Sequence, residues 1–225
     1  MTGKRDYDDG CGVAHALELV GERWALLVIR ELMLGPKRFT DLRNDLPGIS
    51  PNVLSQRLSE LEASSIVVKR RLLPPAAVTA YELSAWGREL EPFIRDFGRW
   101  ASRSPSMPQG RPMSVNSIVL SLRTMFNPQA AKGFRGKIGL SFGEHEFTAR
   151  VSGDRMTVLP GRDEACDVYL RTTPDALAAV IYGGQPLDEA AKAGTVALEG
   201  DKRVAQRFVK CFPLPERAPD LRRMG

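Results

Sequence analysis

Cysteine and histidine are scarce in this 225-residue chain, which has three cysteines (Cys11, Cys166, Cys211) and two histidines (His15, His145). Three scattered cysteines cannot build a disulfide framework, and no two stand at a metal-binding C-x-x-C spacing. Two histidines leave too few members for a zinc site or a histidine-based triad, so no metal and no cofactor is expected. His145 stands between Glu144 and Glu146, the pattern of a hairpin surface rather than of paired catalytic groups, and the chain reads as a non-enzyme. Long apolar runs are missing as well. No stretch reaches about 18 uninterrupted apolar residues, which excludes a transmembrane helix. The opening MTGKRDYDDG is polar and acidic and lacks the apolar segment of a secretory signal. These absences together predict a cytoplasmic protein with no membrane partner.

The composition is that of an ordinary globular protein, 43% hydrophobic and 26% charged, which excludes a disordered tail, a collagen repeat or a disulfide miniprotein. The length allows one large domain or two small ones. The net charge of +5 permits nucleic-acid binding without requiring it. Residues 1–105 carry 15 Lys/Arg against 14 Asp/Glu, and residues 106–225 carry 17 against 13. Within the first part, residues 36–71 hold seven cations against four acids, a local basic zone on a near-neutral background. A DNA-binding domain needs its positive charge on one face, not in its total.

The spacing predicts helices on either side of Gly21, the second ending at Gly35-Pro36. A short helix opens at Phe39 or Thr40 and stops at Pro47-Gly48. Ser50 is an N-cap with Pro51 at the first helical position, and Val53, Leu54, Leu58 and Leu61 face a core. Strand-type residues at 66–72 and 78–83, joined through Pro74–Ala77, predict a β-hairpin. One helix is expected over roughly 84–102, capped by Ser84. Residues 102–113, with three prolines and no apolar rhythm, predict a linker. Beyond it the pattern predicts a helix at 114–126, strands at 136–142, 146–151, 155–159 and 167–171, a helix from Thr173 to Tyr182, a strand at 195–199 and a last helix at 201–212. The expected organisation is a winged helix-turn-helix domain over 1–104 (mainly α with a β-hairpin wing), a linker over 105–113, an α+β domain over 114–214 and a tail over 215–225.

The capped helix presents Asn52, Ser55, Gln56 and Ser59 outward, short amides and hydroxyls that can reach base edges in a major groove. Ser50 marks its N-terminus, which suits a phosphate, and Arg57 lies on the same helix. Lys37, Arg38 and Thr40 sit at the turn before it. Lys69, Arg70 and Arg71 on the hairpin supply cations for the sugar-phosphate backbone, which add affinity without sequence readout. The residues alone leave open a second reading, a small helical core with a solvated hairpin.

The run Cys11-Gly12-Val13, Leu19-Val20-Gly21-Glu22-Arg23-Trp24, Leu27-Val28-Ile29-Arg30-Glu31-Leu32, Gly35-Pro36-Lys37-Arg38-Phe39-Thr40-Asp41-Leu42, Leu46-Pro47-Gly48-Ile49-Ser50, Val53-Leu54-Ser55-Gln56-Arg57-Leu58 and Leu61-Glu62 resembles the HxlR-type winged-helix regulators. The resemblance continues through Tyr81-Glu82-Leu83-Ser84 and Gly87-Arg88-Glu89-Leu90 and covers about residues 8–102. It implies a homodimer that binds double-stranded DNA at a near-palindromic operator, with the terminal helices near 12–20 and 84–102 forming the dimer interface. Two departures stand out. Cys11 is followed by Gly12 where the family has proline, and the wing loop Pro74–Ala77 carries no cation. In some members the cysteine equivalent to Cys11 senses oxidants. Here a helix N-terminus favours its thiolate, Asp8 and Asp9 oppose it, and a small residue packed at an interface is the alternative.

In the second half, Cys166-Asp167-Val168-Tyr169-Leu170, Thr173-Pro174-Asp175-Ala176-Leu177, Tyr182-Gly183-Gly184 and Gly194-Thr195-Val196-Ala197-Leu198-Glu199-Gly200-Asp201 resemble the sterol carrier protein type two domain. That resemblance implies an apolar tunnel, with Leu122, Met125, Phe126, Phe134, Phe142, Phe147, Leu177, Ile181, Phe208 and Phe212 as lining candidates. A close-packed core is the other reading of the same residues. The chain is therefore expected to be a regulator whose second domain senses an apolar or acyl ligand or supports dimerisation. The alternative is a lipid-binding or lipid-transfer protein whose helix-turn-helix no longer binds DNA.

Overall fold

Four of the helix starts marked by a hydroxyl residue are helix starts in the computed structural model, which describes residues 7–71, 78–108 and 110–220. Ser50, Ser84, Ser114 and Thr173 each accept a backbone N–H three residues ahead, from Val53, Gly87, Ser117 and Ala176. Each such bond satisfies one of the donors that a helix N-terminus leaves without an intrahelical partner.

The chain divides into two units, Met1–Ile94 and Arg95–Gly225. The first holds α1 (Gly12–Val20), α2 (Ala25–Leu32), α3 (Phe39–Asp45), α4 (Pro51–Ala63), β1 (Val67–Arg71), β2 (Thr79–Leu83) and α5 (Ala85–Arg88). The two strands form an antiparallel hairpin in the register Val67 to Leu83 and Arg71 to Thr79. The wing loop Pro74–Ala77 lies outside the described residues. One core joins these elements. Val28, Ile29 and Leu32 from α2, Leu42 and Leu46 around α3, Leu54, Leu58 and Leu61 from α4, and Ile66, Val67 and Leu83 of the hairpin are all buried together.

The single helix expected over 84–102 is two, α5 and α6 (Leu90–Ser102), with the break at Glu89. Pro92 explains it. Proline has no N–H to return to the carbonyl of Arg88, so an uninterrupted helix would lose that bond and clash there. The division between the two units falls inside α6.

The second unit continues with α7 (Val115–Met125), β3 (Arg135–Phe142), β4 (His145–Ser152), β5 (Arg155–Pro160), β6 (Val168–Thr172), α8 (Pro174–Ile181), α9 (Leu187–Lys192), β7 (Val196–Gly200) and α10 (Lys202–Val209). The strands form one sheet in the order β5-β4-β3-β6-β7, with β3 parallel to β6 and every other neighbour antiparallel. Its topology is that of an α+β domain with a mixed sheet. The register places Ile138, Ala149 and Val168 side by side, and Leu140, Phe147 and Leu170 likewise, all buried. The opposite face carries Lys137 and Arg150, both on Asp163 at 2.9 and 2.7 Å. Arg95 and Arg99 of α6 donate to the carbonyls of Arg123 and Thr124 at the end of α7, carbonyls that α7 itself leaves open. Helix α9 has no counterpart in the sequence reading. At six residues it is too short to show a helical period.

The hairpin and α5 are held at Ile66, whose carbonyl accepts the Ser84 N–H at 2.9 Å. A side chain at position 87 would place its first carbon 2.2 Å from that same oxygen. Gly87→Ala is therefore expected to lower stability by about 1–3 kcal/mol, the usual penalty of overpacking a buried contact. Urea denaturation of the two proteins measures it, and equal midpoints would show that the backbone yields there without cost.

Candidate nucleic-acid interface

Helix α4 has two faces because its sequence has two periods of chemistry. Leu54, Leu58 and Leu61 recur at helical spacing and are buried, while Asn52, Ser55, Gln56 and Ser59 are exposed between them. Pro51 sits at the first turn, where its missing N–H removes no bond. The Ser50 oxygen accepts the Val53 N–H at 3.3 Å. On the outer face Gln56 donates from Nε2 to Glu60 at 3.0 Å, an exposed bond one turn along the helix that water or a base can replace. The outer face thus offers two amides and two hydroxyls, all able to donate and to accept.

The cations predicted beside this face divide into two kinds. Arg57 is buried, 6% exposed, and ties to Glu60 at 2.6 Å and Glu22 at 3.5 Å. It does not join the outer face of α4, because on this helix it falls among the leucines at 54, 58 and 61. Lys37 is likewise turned inward. Its amine meets Glu31 at 2.9 Å and Asp45 at 2.5 Å, and its side chain is 14% exposed. Glu31 itself has no exposure to water and also takes the Arg30 guanidinium at 2.6 Å. The remaining candidates are exposed. Arg38 precedes α3 and its backbone N–H donates to Asp41 at 3.0 Å. Thr40 lies on the first turn of α3. On β1, Lys69 pairs with Glu62 at 2.8 Å and Arg70 with Glu82 at 3.2 Å, and the Glu62 carboxylate raises the pKa of Lys69. Arg71 forms no ion pair among the described residues.

Cys11 is the N-cap of α1 and exposed. The amides of Val13 and Ala14 at the start of α1 hold its thiol below the ordinary cysteine range. Asp9, which the sequence sets against a thiolate, instead accepts the Cys11 N–H at 2.9 Å. Burial pushes the other two thiols the opposite way, Cys166 upward and Cys211 to about 11. In the second unit the tunnel candidates fall into the apolar interior. Leu122, Met125, Phe134, Phe142, Phe147, Leu177, Phe208 and Phe212 are buried, and Phe126 and Ile181 half-buried. The rings of Phe208 and Phe212 lie 5.0 Å apart, with Phe126 6.3 Å from Phe212, while Phe142 pairs with Phe147 at 6.2 Å.

Helix α6 goes beyond what the spacing of apolar residues predicts. Phe93, Phe97 and Trp100 recur on one face and are 69%, 57% and 67% exposed, with Phe97 and Trp100 stacked at 5.7 Å. Val13 and Leu17 of α1 are exposed as well. Apolar periodicity marks a face that leaves water and does not say whether the same chain covers it. Among the described residues no group of three metal-ligating side chains comes together, and no helix is long and apolar enough to cross a membrane.

Comparison with known proteins matches two successive parts of the chain. The profile of the HxlR-like helix-turn-helix family matches residues 19–107, and that of the alkyl sulfatase C-terminal family matches residues 105–218. Two Bacillus subtilis (strain 168) relatives are the uncharacterized HTH-type transcriptional regulator YvaP and the HTH-type transcriptional regulator YodB. They are 36% and 39% identical to this chain over 88 and 89 residues. Each alignment spans 39% of this chain, and they span 81% and 79% of the relatives. Among solved structures, the reduced form of YodB aligns with a TM-score of 0.40 at 32% identity over 45% of this chain and all of that one. The sec-alkylsulfatase Pisa1 from Pseudomonas aligns with a TM-score of 0.38 at 21% identity over 40% of this chain, which spans 15% of that enzyme.

The inward placement of Lys37 has a measurable consequence. Lys37→Met leaves Asp45 without its amine and the buried Glu31 with one cation fewer, at a cost of about 1–3 kcal/mol in stability. Urea denaturation is expected to show that cost, while the sequence preference of the folded variant on DNA stays that of the wild type. A changed preference with unchanged stability would place Lys37 on the nucleic acid instead.

Proposed function

The chain belongs to the HxlR-like helix-turn-helix family of DNA-binding transcriptional regulators, and from that premise we propose that it acts as a homodimer on a near-palindromic operator read by α4. The observation that carries this reading is the outer face of α4, where Asn52, Ser55, Gln56 and Ser59 are exposed on a helix pinned by three buried leucines and a buried arginine. Such a face enters a major groove with its amides directed at base edges. Arg38 and Thr40 at the start of α3 and Lys69, Arg70 and Arg71 on β1 hold the phosphates on either side, so they contribute affinity that falls with salt. The dimer is supported by the aromatic face of α6 and by Val13 and Leu17 of α1. Three large side chains more than half exposed on one helix face form an apolar patch of the kind that marks an interaction surface. The second domain, sterol-carrier-like on the motifs around Thr195–Asp201, either takes an apolar or acyl ligand or supports the dimer.

Selection from random duplex DNA at near-physiological salt tests the reading. The expected outcome is an inverted repeat whose half-site centres lie about one helical turn, or a multiple of it, apart. On that site Gln56→Ala relaxes the preference at one position per half-site, while Arg71→Ala weakens all sequences alike, each by about 1–3 kcal/mol at most. No enriched sequence, or two variants with the same effect, would refute this division of labour. The selected duplex also serves as the probe for acyl ligands, which change operator affinity only if the second domain binds them.

Cys11 is the thiol we assign to oxidant sensing. Its pKa lies below the ordinary value and those of Cys166 and Cys211 above it, so as pH rises Cys11 becomes thiolate first. Mass-spectrometric alkylation near neutral pH is expected to label Cys11 ahead of the other two. Cys11→Ser is expected to keep DNA binding and lose its response to diamide. A response that survives in Cys11→Ser clears this residue of the role.

A further inference from the structure

Helix α10 is amphipathic in an unusual way. Its inner face, Ala205 and Phe208 with Cys211 and Phe212 beyond, is buried. Its outer face carries Arg203 and Arg207 and is continued by Lys210 at the C-cap, at i, i+4 and i+7, and no acid occurs anywhere in Lys202–Val209. All three are exposed. Arg207 also brings in a fourth cation. Its guanidinium donates to the Lys132 carbonyl at 3.2 Å and lies 5.8 Å from the Phe134 ring, which sets the exposed Lys132 beside α10.

Two carboxylates that touch α10 bond elsewhere than to these side chains. Asp201 caps α10 by accepting the Arg203 N–H at 2.7 Å. Asp188 takes Lys202 at 2.9 Å and Gln206 at 3.3 Å. Among the described residues, Lys132, Arg203, Arg207 and Lys210 form no ion pair. This differs from the neighbouring surface of the same unit, where Lys137, Arg150 and Arg162 each have a carboxylate. A face that leaves every cation unmatched is complementary to a polyanion. Arg203, Arg207 and Lys210 span about 10 Å of helix axis, a length over which duplex DNA presents roughly six phosphates.

We propose that the outer face of α10, with Lys132, is a sequence-independent docking surface for the phosphate backbone of duplex DNA. It rests on the regulator reading only in that duplex DNA is the polyanion this chain meets. It assigns the second domain a part in DNA binding that needs no small ligand. Such cations release counterions on binding and add to the salt dependence without adding sequence preference.

The test compares the full chain with the variant Lys132→Gln, Arg203→Gln, Lys210→Gln. Arg207 is left in place because it packs on Phe134. Affinity for a long duplex of random sequence is measured over a series of KCl concentrations. The logarithmic slope is expected to become shallower by roughly 2–3 in the variant, at about 0.9 for each phosphate that is no longer neutralised. The charge-keeping variant Lys132→Arg, Arg203→Lys, Lys210→Arg is expected to retain the wild-type slope, and single Gln variants to give a third of the change each. Coincident lines for wild type and the Gln variant would overturn the proposal. So would an unchanged DNA slope together with abolished binding to poly-glutamate, which would assign the face to an acidic protein. Failure of α4 to select a sequence leaves these slopes readable, so the two readings fail separately.

Discussion

A carboxylate with no exposure to water cannot stand alone in a protein interior, and in the first unit that carboxylate is Glu31. It is held by Arg30 from its own helix and by Lys37 from the turn that follows. Lys37 then does more than neutralise it. Its amine reaches Asp45 at the end of α3, and its backbone exchanges two hydrogen bonds with Tyr81 on β2, at 2.9 and 2.8 Å. One residue therefore ties α2, α3 and the hairpin. An uncompensated buried charge costs several kcal/mol, so the three elements cannot separate without exposing the pair to that penalty. The orientation of the wing relative to the helix-turn-helix follows from this junction and from the packing of Ile66, Val67 and Leu83 into the common core.

Arg57 does for α4 what Lys37 does for the turn. Placed among Leu54, Leu58 and Leu61, it pairs with Glu60 on the same helix and reaches Glu22 ahead of α2, and the Glu22 contact and the three buried leucines together fix the rotation of α4 about its own axis. Because that rotation is fixed, Asn52, Ser55, Gln56 and Ser59 stay on the outside together. The two inward cations and the outward amides are parts of one arrangement. The first hold the helix still and the second remain available to a partner.

Much of this is legible in the sequence, and the part that is not has a common cause. The caps at Ser50, Ser84, Ser114 and Thr173 are local, since donor and acceptor lie three residues apart. The strand boundaries follow a period of two and fall within one or two residues of Arg135–Phe142 and His145–Ser152. The outer face of α4 follows the period of a helix. What the sequence hides is which cation meets which acid when the two are distant. Lys37 and Arg57 read as candidates for the phosphate backbone beside Arg38 and Arg71. Only folding brings Glu31 and Asp45 to one and Glu22 to the other. The break at Glu89 is readable from Pro92, yet the apolar period runs through it and suggests one longer helix. The same period places Phe97 and Trp100 on an apolar face and does not reveal that they stay uncovered in this chain.

The same sorting of charges explains why the near-neutral total of the first 105 residues says so little about DNA. A cation locked into a buried pair contributes nothing to the field outside, and the acid it holds contributes nothing either. Lys37, Arg30 and Arg57 are turned onto Glu31, Asp45, Glu60 and Glu22, so three of the cations counted in the sequence are not offered to a partner. Arg38 and Arg71 form no ion pair among the described residues, so they face solvent with their charge intact. Arg203, Arg207 and Lys210 do so on α10. Within a Debye length of about 8 Å at physiological salt, a partner senses such uncompensated groups and not the net charge of the chain. The relevant quantity for nucleic-acid recognition is thus the number of exposed cations without an acid in reach, which the tertiary fold decides residue by residue.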